Sequence, residues 1–164
     1  MMISEVMNAK LNEQVAAELS AAHAYLAMAC SFDRKALKIL AQLFLKQHDE
    51  EREHAMKIVK YLQEVGGIVV LGAVPAPKSD FANAKVIVET ALKGEKKITE
   101  MINDLVALAD EENDYATRSF LNCFVDEQVE EVASMTGLLG LVRLAGDNIL
   151  QVEARVRHQM ISKS

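Results

Sequence analysis

Four stretches of about thirty residues each repeat an apolar side chain every three or four positions, and neither of the chain's two prolines falls inside one. That period belongs to an α-helix with one buried stripe, and no run alternates as a strand would. The stretches run from about residue 4 to 32, 35 to 65, 83 to 110 and 114 to 145. The first and third breaks are a few residues long, so each pair of helices must fold back as an antiparallel hairpin. The middle break, opened by Gly66-Gly67 and carrying Pro75-Ala76-Pro77, is far longer. About fifteen extended residues reach roughly 50 Å, and a thirty-residue helix spans roughly 45 Å. That connection therefore can run the length of a bundle and start the third helix parallel to the second. The predicted fold is all-α: an antiparallel four-helix bundle with one long crossover between helices two and three. A short C-terminal fifth helix over about 148–160 would follow Gly146, capped by Asp147. The whole chain, 1–164, reads as a single domain, with the bundle over about 4–145.

The stripes are not uniformly apolar. The first reads Leu11, Val15, Glu18, Ala22, Tyr25, Ala29, and the second passes through Phe44, Gln47, Glu51, His54 and Ile58. The third places Glu95 between Ala91 and Ile98, and the fourth places Gln128 and Glu131 between Phe124 and Met135. Glu18 and Glu51 are 33 residues apart, as are Glu95 and Gln128. Each hairpin thus offers a lone Glu and then a pair at i, i+3, which share a helix face. The midpoints fall in the two short turns, so both sets lie at one depth. In register, all six side chains meet in one layer.

Four carboxylates in one buried layer must shed charge, pair or bind cations. One imidazole among carboxylates suits iron or manganese better than structural zinc. Six side chains around two metals leave coordination positions open, as catalysis needs. The competing reading is a set of hydrogen-bonded polar groups that fixes helix register without metal. Tyr25, two turns past Glu18, would donate a hydrogen bond or an electron there, or be a core tyrosine with a satisfied hydroxyl. Glu50, Glu127 and Glu130 sit one position off the stripes, as solvated charges or as binders of a further cation. His23, His48 and His158 lie off the stripes and are expected at the surface.

Glu18, Tyr25, the run Glu50-Glu51-Arg52-Glu53-His54-Ala55, Glu95 and Glu127-Gln128-Val129-Glu130-Glu131 resemble those of bacterial non-haem ferritins. The similarity extends over nearly the whole chain, including the proline crossover and Asp114-Tyr115-Ala116-Thr117. The resemblance implies an iron-storing ferroxidase that uses dioxygen or peroxide and forms a shell of 24 subunits built from dimers. It further implies that Glu18, Glu51 and His54 hold a first iron, with Glu51 bridging, and that Glu95 and Glu131 serve a second with Gln128 nearby. Glu50, Glu127, Glu130 and Glu131 match a third iron site, and Tyr25 matches the tyrosine beside the centre. Bacterioferritins carry a second His at the place of Glu131 and a haem-ligating Met at that of Arg52, so no haem is expected. Animal ferritins have acidic three-fold pores where this chain has Arg118 and Leu121, a departure that argues against iron uptake there. The fifth helix is charged, and four copies around an axis would crowd Arg155 or Arg157.

The net charge of −6 offers no basic surface for nucleic acid. No run of 18 apolar residues exists and the first dozen residues lack the pattern of an export signal, so no membrane and a cytoplasmic location are expected. Cys30 and Cys123 are expected to be free thiols packed as small hydrophobes. The apolar crossover residues Ile68, Val69, Val70, Leu71 and Val74 are expected to be covered by a second subunit. A di-iron peroxidase of rubrerythrin type is the nearest alternative activity, but the Cys-x-x-Cys module usual there is missing.

Overall fold

The computed structural model describes residues 2–162. Its helices are α1 (Glu5–Arg34), α2 (Lys38–Glu64), α3 (Ala84–Glu111), α4 (Tyr115–Ala145) and α5 (Ile149–Ser162). Short polar side chains begin three of the four long ones, because a side-chain acceptor at the cap satisfies an orphan N–H of the first turn. Ser4 accepts from Met7 N–H, Asn83 from Val86 N–H, and Asp114 from Thr117 N–H.

The helix ends share one device. After α2, Gly66 (φ 74°) donates to Gln63 O and Gly67 to Leu62 O, the paired bonds that close a helix on a left-handed residue. The same pair of bonds closes α1 on Ala36 (φ 60°) and α3 on Asn113 (φ 56°). Ala36 and Asn113 are 77 residues apart, as are Glu18 and Glu95, and Glu51 and Gln128. Identical turns at identical offsets are what bring the two hairpins' polar positions to one depth.

The crossover runs along α1 from its first turns to its last. Asn8 and Asn12 hold Ile68 O and the N–H groups of Ile68 and Val70; farther on, Arg34 reaches Ser79 O at 2.9 Å. α3 therefore starts at the end where α2 starts, as the length estimate requires. Val69 turns inward, but Ile68, Val70 and Leu71 remain exposed at 66%, 59% and 70%. The expected cover is thus not supplied by the chain's own helices.

α5 packs across the ends of α2 and α4, burying Val152 and Val156. Its Glu153 carboxylate accepts from Ile39 N–H (3.1 Å) and Leu40 N–H (2.7 Å), capping α2, whose own N-cap position holds Leu37. α5 begins at Ile149, and Asn148 rather than the expected Asp147 directly precedes it.

Among the described residues α1 is the one helix long and apolar enough to cross a membrane by length and composition. Its apolar stripe is packed against α2 and α3, as in any core helix.

Candidate metal centre

The apolar core is divided. One cluster runs from Tyr25 and Phe44 to Val142 and Val156, the other from Met7 and Val15 to Ile102 and Phe124. Between them lies a polar layer with Glu18, Gln47, Glu51, His54, Glu95 and Gln128 all buried. Four helices contribute to it because each stripe is interrupted at the same depth.

Glu18, Glu51 and His54 form its tightest group, with one potential ligand atom from each lying within 4.8 Å of the others. His54 Nδ1 is 3.9 Å from Glu18 Oε2 and 3.6 Å from Glu51 Oε2. Among the described residues no amide, hydroxyl or cation donates to Glu18 Oε2 or to either Glu51 oxygen, and the two raised carboxyls have each other as hydrogen-bond partner. Buried carboxylate oxygens carry a desolvation cost that a cation would remove. The spacing fits one: donors roughly 2.0–2.2 Å from a first-row ion, at roughly right angles or wider, stand roughly 3–4 Å apart.

The other hairpin's side chains meet the layer through hydrogen bonds. The Tyr25 hydroxyl donates to Glu95 Oε1 in a very short contact. Gln128 Nε2 is spread over Glu95 O (3.2 Å), Glu95 Oε2 (3.3 Å) and Thr99 Oγ1 (3.1 Å). Glu131 is half-buried and accepts from Gln47 Nε2 at 2.5 Å. Tyr25 itself rests edge-on against Phe44, with ring centroids 5.5 Å apart.

Burial dominates the electrostatics. It holds the Glu18 carboxyl well above the usual range, with the Glu51 charge adding to the effect. Burial and then the Glu95 charge push Glu51 up to about 8. Burial, then Glu95 and Glu50, push Glu131 to about 7 against the opposing bond from Gln47. Burial raises Glu95 as well, although Tyr25 and Gln128 oppose it. The Tyr25 phenol is driven well above its normal range by burial and by Glu95, so it stays protonated and donates. Near neutral pH the metal-free layer therefore holds protons where a cation would bring charge.

The three outer acids divide. Glu127 is half-buried, with Oε2 2.8 Å from His54 Nε2 and Oε1 3.1 Å from Lys57 Nζ. Glu50 is half-buried and pairs with Lys46 at 3.3 Å, whereas Glu130 is exposed. They are not drawn into one group.

Residues 8–145 match the family described as the ferritin-like domain. The chain belongs to the ferritin family. A bacterial non-heme ferritin of Staphylococcus saprophyticus is 39% identical over 148 residues, covering 90% of this chain and 88% of the relative. That of Staphylococcus aureus strain MRSA252 is 38% identical over 147 residues, covering 90% and 89%. The open pore ferritin of the hyperthermophilic archaeon Archaeoglobus fulgidus superimposes with a TM-score of 0.92 at 37% identity, over 94% of this chain and 96% of that one. Its engineered closed form gives 0.91 at 38%, over 94% and 96%. The fold and the family resemblance read from the sequence both hold for this ferritin.

Other expectations need correction. Cys30 and Cys123 are exposed rather than packed, since both project from the sides of their helices away from the stripes. His48 is half-buried, with its ring Nδ1 2.8 Å from Ala22 O where α1 and α2 meet. His23 and His158 are exposed as expected. Gln14 was not foreseen. It is 1% exposed and donates to Glu18 Oε1 at 2.7 Å. Its only sequence signal is its place one helical turn before Glu18.

Proposed function

We propose that this ferritin is an iron-storage ferroxidase, one domain over 1–164 that works in the cytoplasm and assembles into a 24-subunit shell. The reading rests above all on the Glu18 and Glu51 oxygens gathered around His54 Nδ1, a buried donor set with the spacing a small cation needs. Fe(II) is the substrate. Glu18, Glu51 and His54 take one ion; Glu95 and Glu131 serve a second, with Glu51 between them and Gln128 alongside. Each Fe(II) gives up one electron, and dioxygen accepts the pair at the peroxide level. Carboxylates favour the product because hard anionic oxygen stabilises the higher charge of Fe(III). Protons held by the layer leave as iron binds. Tyr25 holds Glu95 in place and, through that contact, is a phenol placed to supply an electron to the centre. Glu127, Glu50 and Glu130 carry iron onward to a mineral store, Glu127 first because it already touches His54.

Assembly is supported by the exposed row of Ile68, Val70 and Leu71, an apolar strip suited to a second copy of the chain. The similarity to bacterial non-heme ferritins and to the open pore ferritin of Archaeoglobus fulgidus supports the same reading.

Iron loading under air, followed by sizing and iron counting, tests the proposal. Hundreds of irons or more on a large particle are expected; two per subunit on a small oligomer would refute storage. Glu51→Ala and His54→Ala should each abolish the fast phase of oxidation. Unchanged fast oxidation in both would overturn the assigned centre.

A further inference from the structure

The layer's carboxylates differ in how many oxygens they have to spare. Glu18 gives Oε1 to the Gln14 amide, leaving Oε2 facing His54. Glu131 gives Oε2 to the Gln47 amide, leaving Oε1. Glu51 accepts from no amide; its hydrogen-bond partner is the raised Glu18 carboxyl, whose proton a cation would displace. Gln14 and Gln47 are both buried, and the Gln14 Oε1 finds no hydrogen-bond partner among the described residues. A buried amide oxygen without a partner costs stability, so core packing does not explain Gln14. What the residue does supply is one N–H to one carboxylate oxygen.

We propose that Gln14 and Gln47 are positioning residues that each occupy one oxygen of a layer carboxylate, so that Glu18 and Glu131 bind a cation through a single oxygen while Glu51 is left to span two. The inference rests on the metal reading above and deepens it. Its consequence is selectivity. Ca(II) takes six to eight oxygens and uses two-oxygen carboxylate contacts, whereas small first-row ions are satisfied by fewer and shorter bonds. Two acids each restricted to one free oxygen deny the larger ion the ligand number it needs. The two anchors are independent: Gln14 lies on the helix of its carboxylate, whereas Gln47 reaches from α2 to α4. Gln128 is no equivalent, because its amide is divided among three longer contacts.

The test uses Gln14→Met and Gln47→Met in the full chain, each keeping the side chain's length and removing its donor. Anaerobic Co(II) titration read by visible absorption, with Ca(II) as competitor, reports affinity, coordination and selectivity without any turnover. Loss of such supporting partners weakens metal binding by about 10–100-fold. Each variant should bind Co(II) at least about tenfold more weakly, with an altered absorption band and a narrower preference over Ca(II). Folded variants with unchanged band, affinity and preference would overturn the proposal. Should Gln14→Met fail to fold, Gln47→Met decides. A wild-type protein that binds no Co(II) would instead overturn the metal centre itself, a separate outcome.

Discussion

Glu51 makes the metal-free protein's stability depend on pH in an unusual direction. Its carboxyl titrates at about 8 in the fold because of burial and the Glu95 charge, against an ordinary value near ~4.3 when the chain is unfolded. Between those limits the folded state keeps a proton that the unfolded state releases. Stability therefore falls as pH rises, and levels off above about 8. While the difference is complete, one such group contributes about 1.4 kcal/mol per pH unit. From about pH 5.5 to about pH 7.5 the loss is about 3 kcal/mol as an upper figure. Glu51→Gln keeps the shape and cannot ionise, so it should lack this slope. Glu18 is raised partly by the Glu51 charge, so the substitution lowers its shift too, and the difference between the two proteins reports the Glu18–Glu51 pair. The assay is urea unfolding of chelator-treated wild type and Glu51→Gln at both pH values and one protein concentration, since assembly adds its own stability. The variant should gain on the wild type by about 2–3 kcal/mol across that range. Adding Zn(II), which binds without redox chemistry, should reverse the wild-type slope, because metal competes with the proton. Parallel pH profiles for the two metal-free proteins would refute the placement of a protonated, buried Glu51.

Glu153→Ala removes the acceptor for Ile39 and Leu40 N–H; loss of a cap costs about 0.5–2 kcal/mol, and limited proteolysis should cut within 149–162 faster than in the wild type. Ala36 holds a left-handed conformation at the end of α1, which costs a non-glycine residue roughly 1–2 kcal/mol. Ala36→Gly should raise stability by up to about 1 kcal/mol once glycine's greater unfolded-state freedom is subtracted, as thermal unfolding would show; a loss of stability would mean that the turn is not left-handed.

The bundle was legible because helical period, two short turns and one long connection leave few ways to pack four helices. Glu18, Glu51, His54, Glu95 and Gln128 were legible for a stronger reason. A charged or amide group in an apolar stripe violates the pattern, and 33-residue spacing about a turn converts a position in sequence into a depth in space. Groups off the stripes carried no such violation. His48 meets Ala22 O through the angle at which α1 and α2 pack, and that angle is absent from spacing alone. The amides show the limit most clearly. Gln14 stands four residues before Glu18, and Gln47 four residues before Glu51. Spacing treats the two alike and would pair each with the Glu on its own helix. Gln14 obeys and bonds Glu18; Gln47 turns across the bundle to Glu131 and leaves Glu51 without an amide partner. The sequence period fixes which face a side chain occupies, whereas the partner is chosen by which neighbouring helix presents an acceptor at that depth. That choice separates carboxylates that give one oxygen to a buried amide from one that gives none, which is the difference the proposed bridging role of Glu51 draws on.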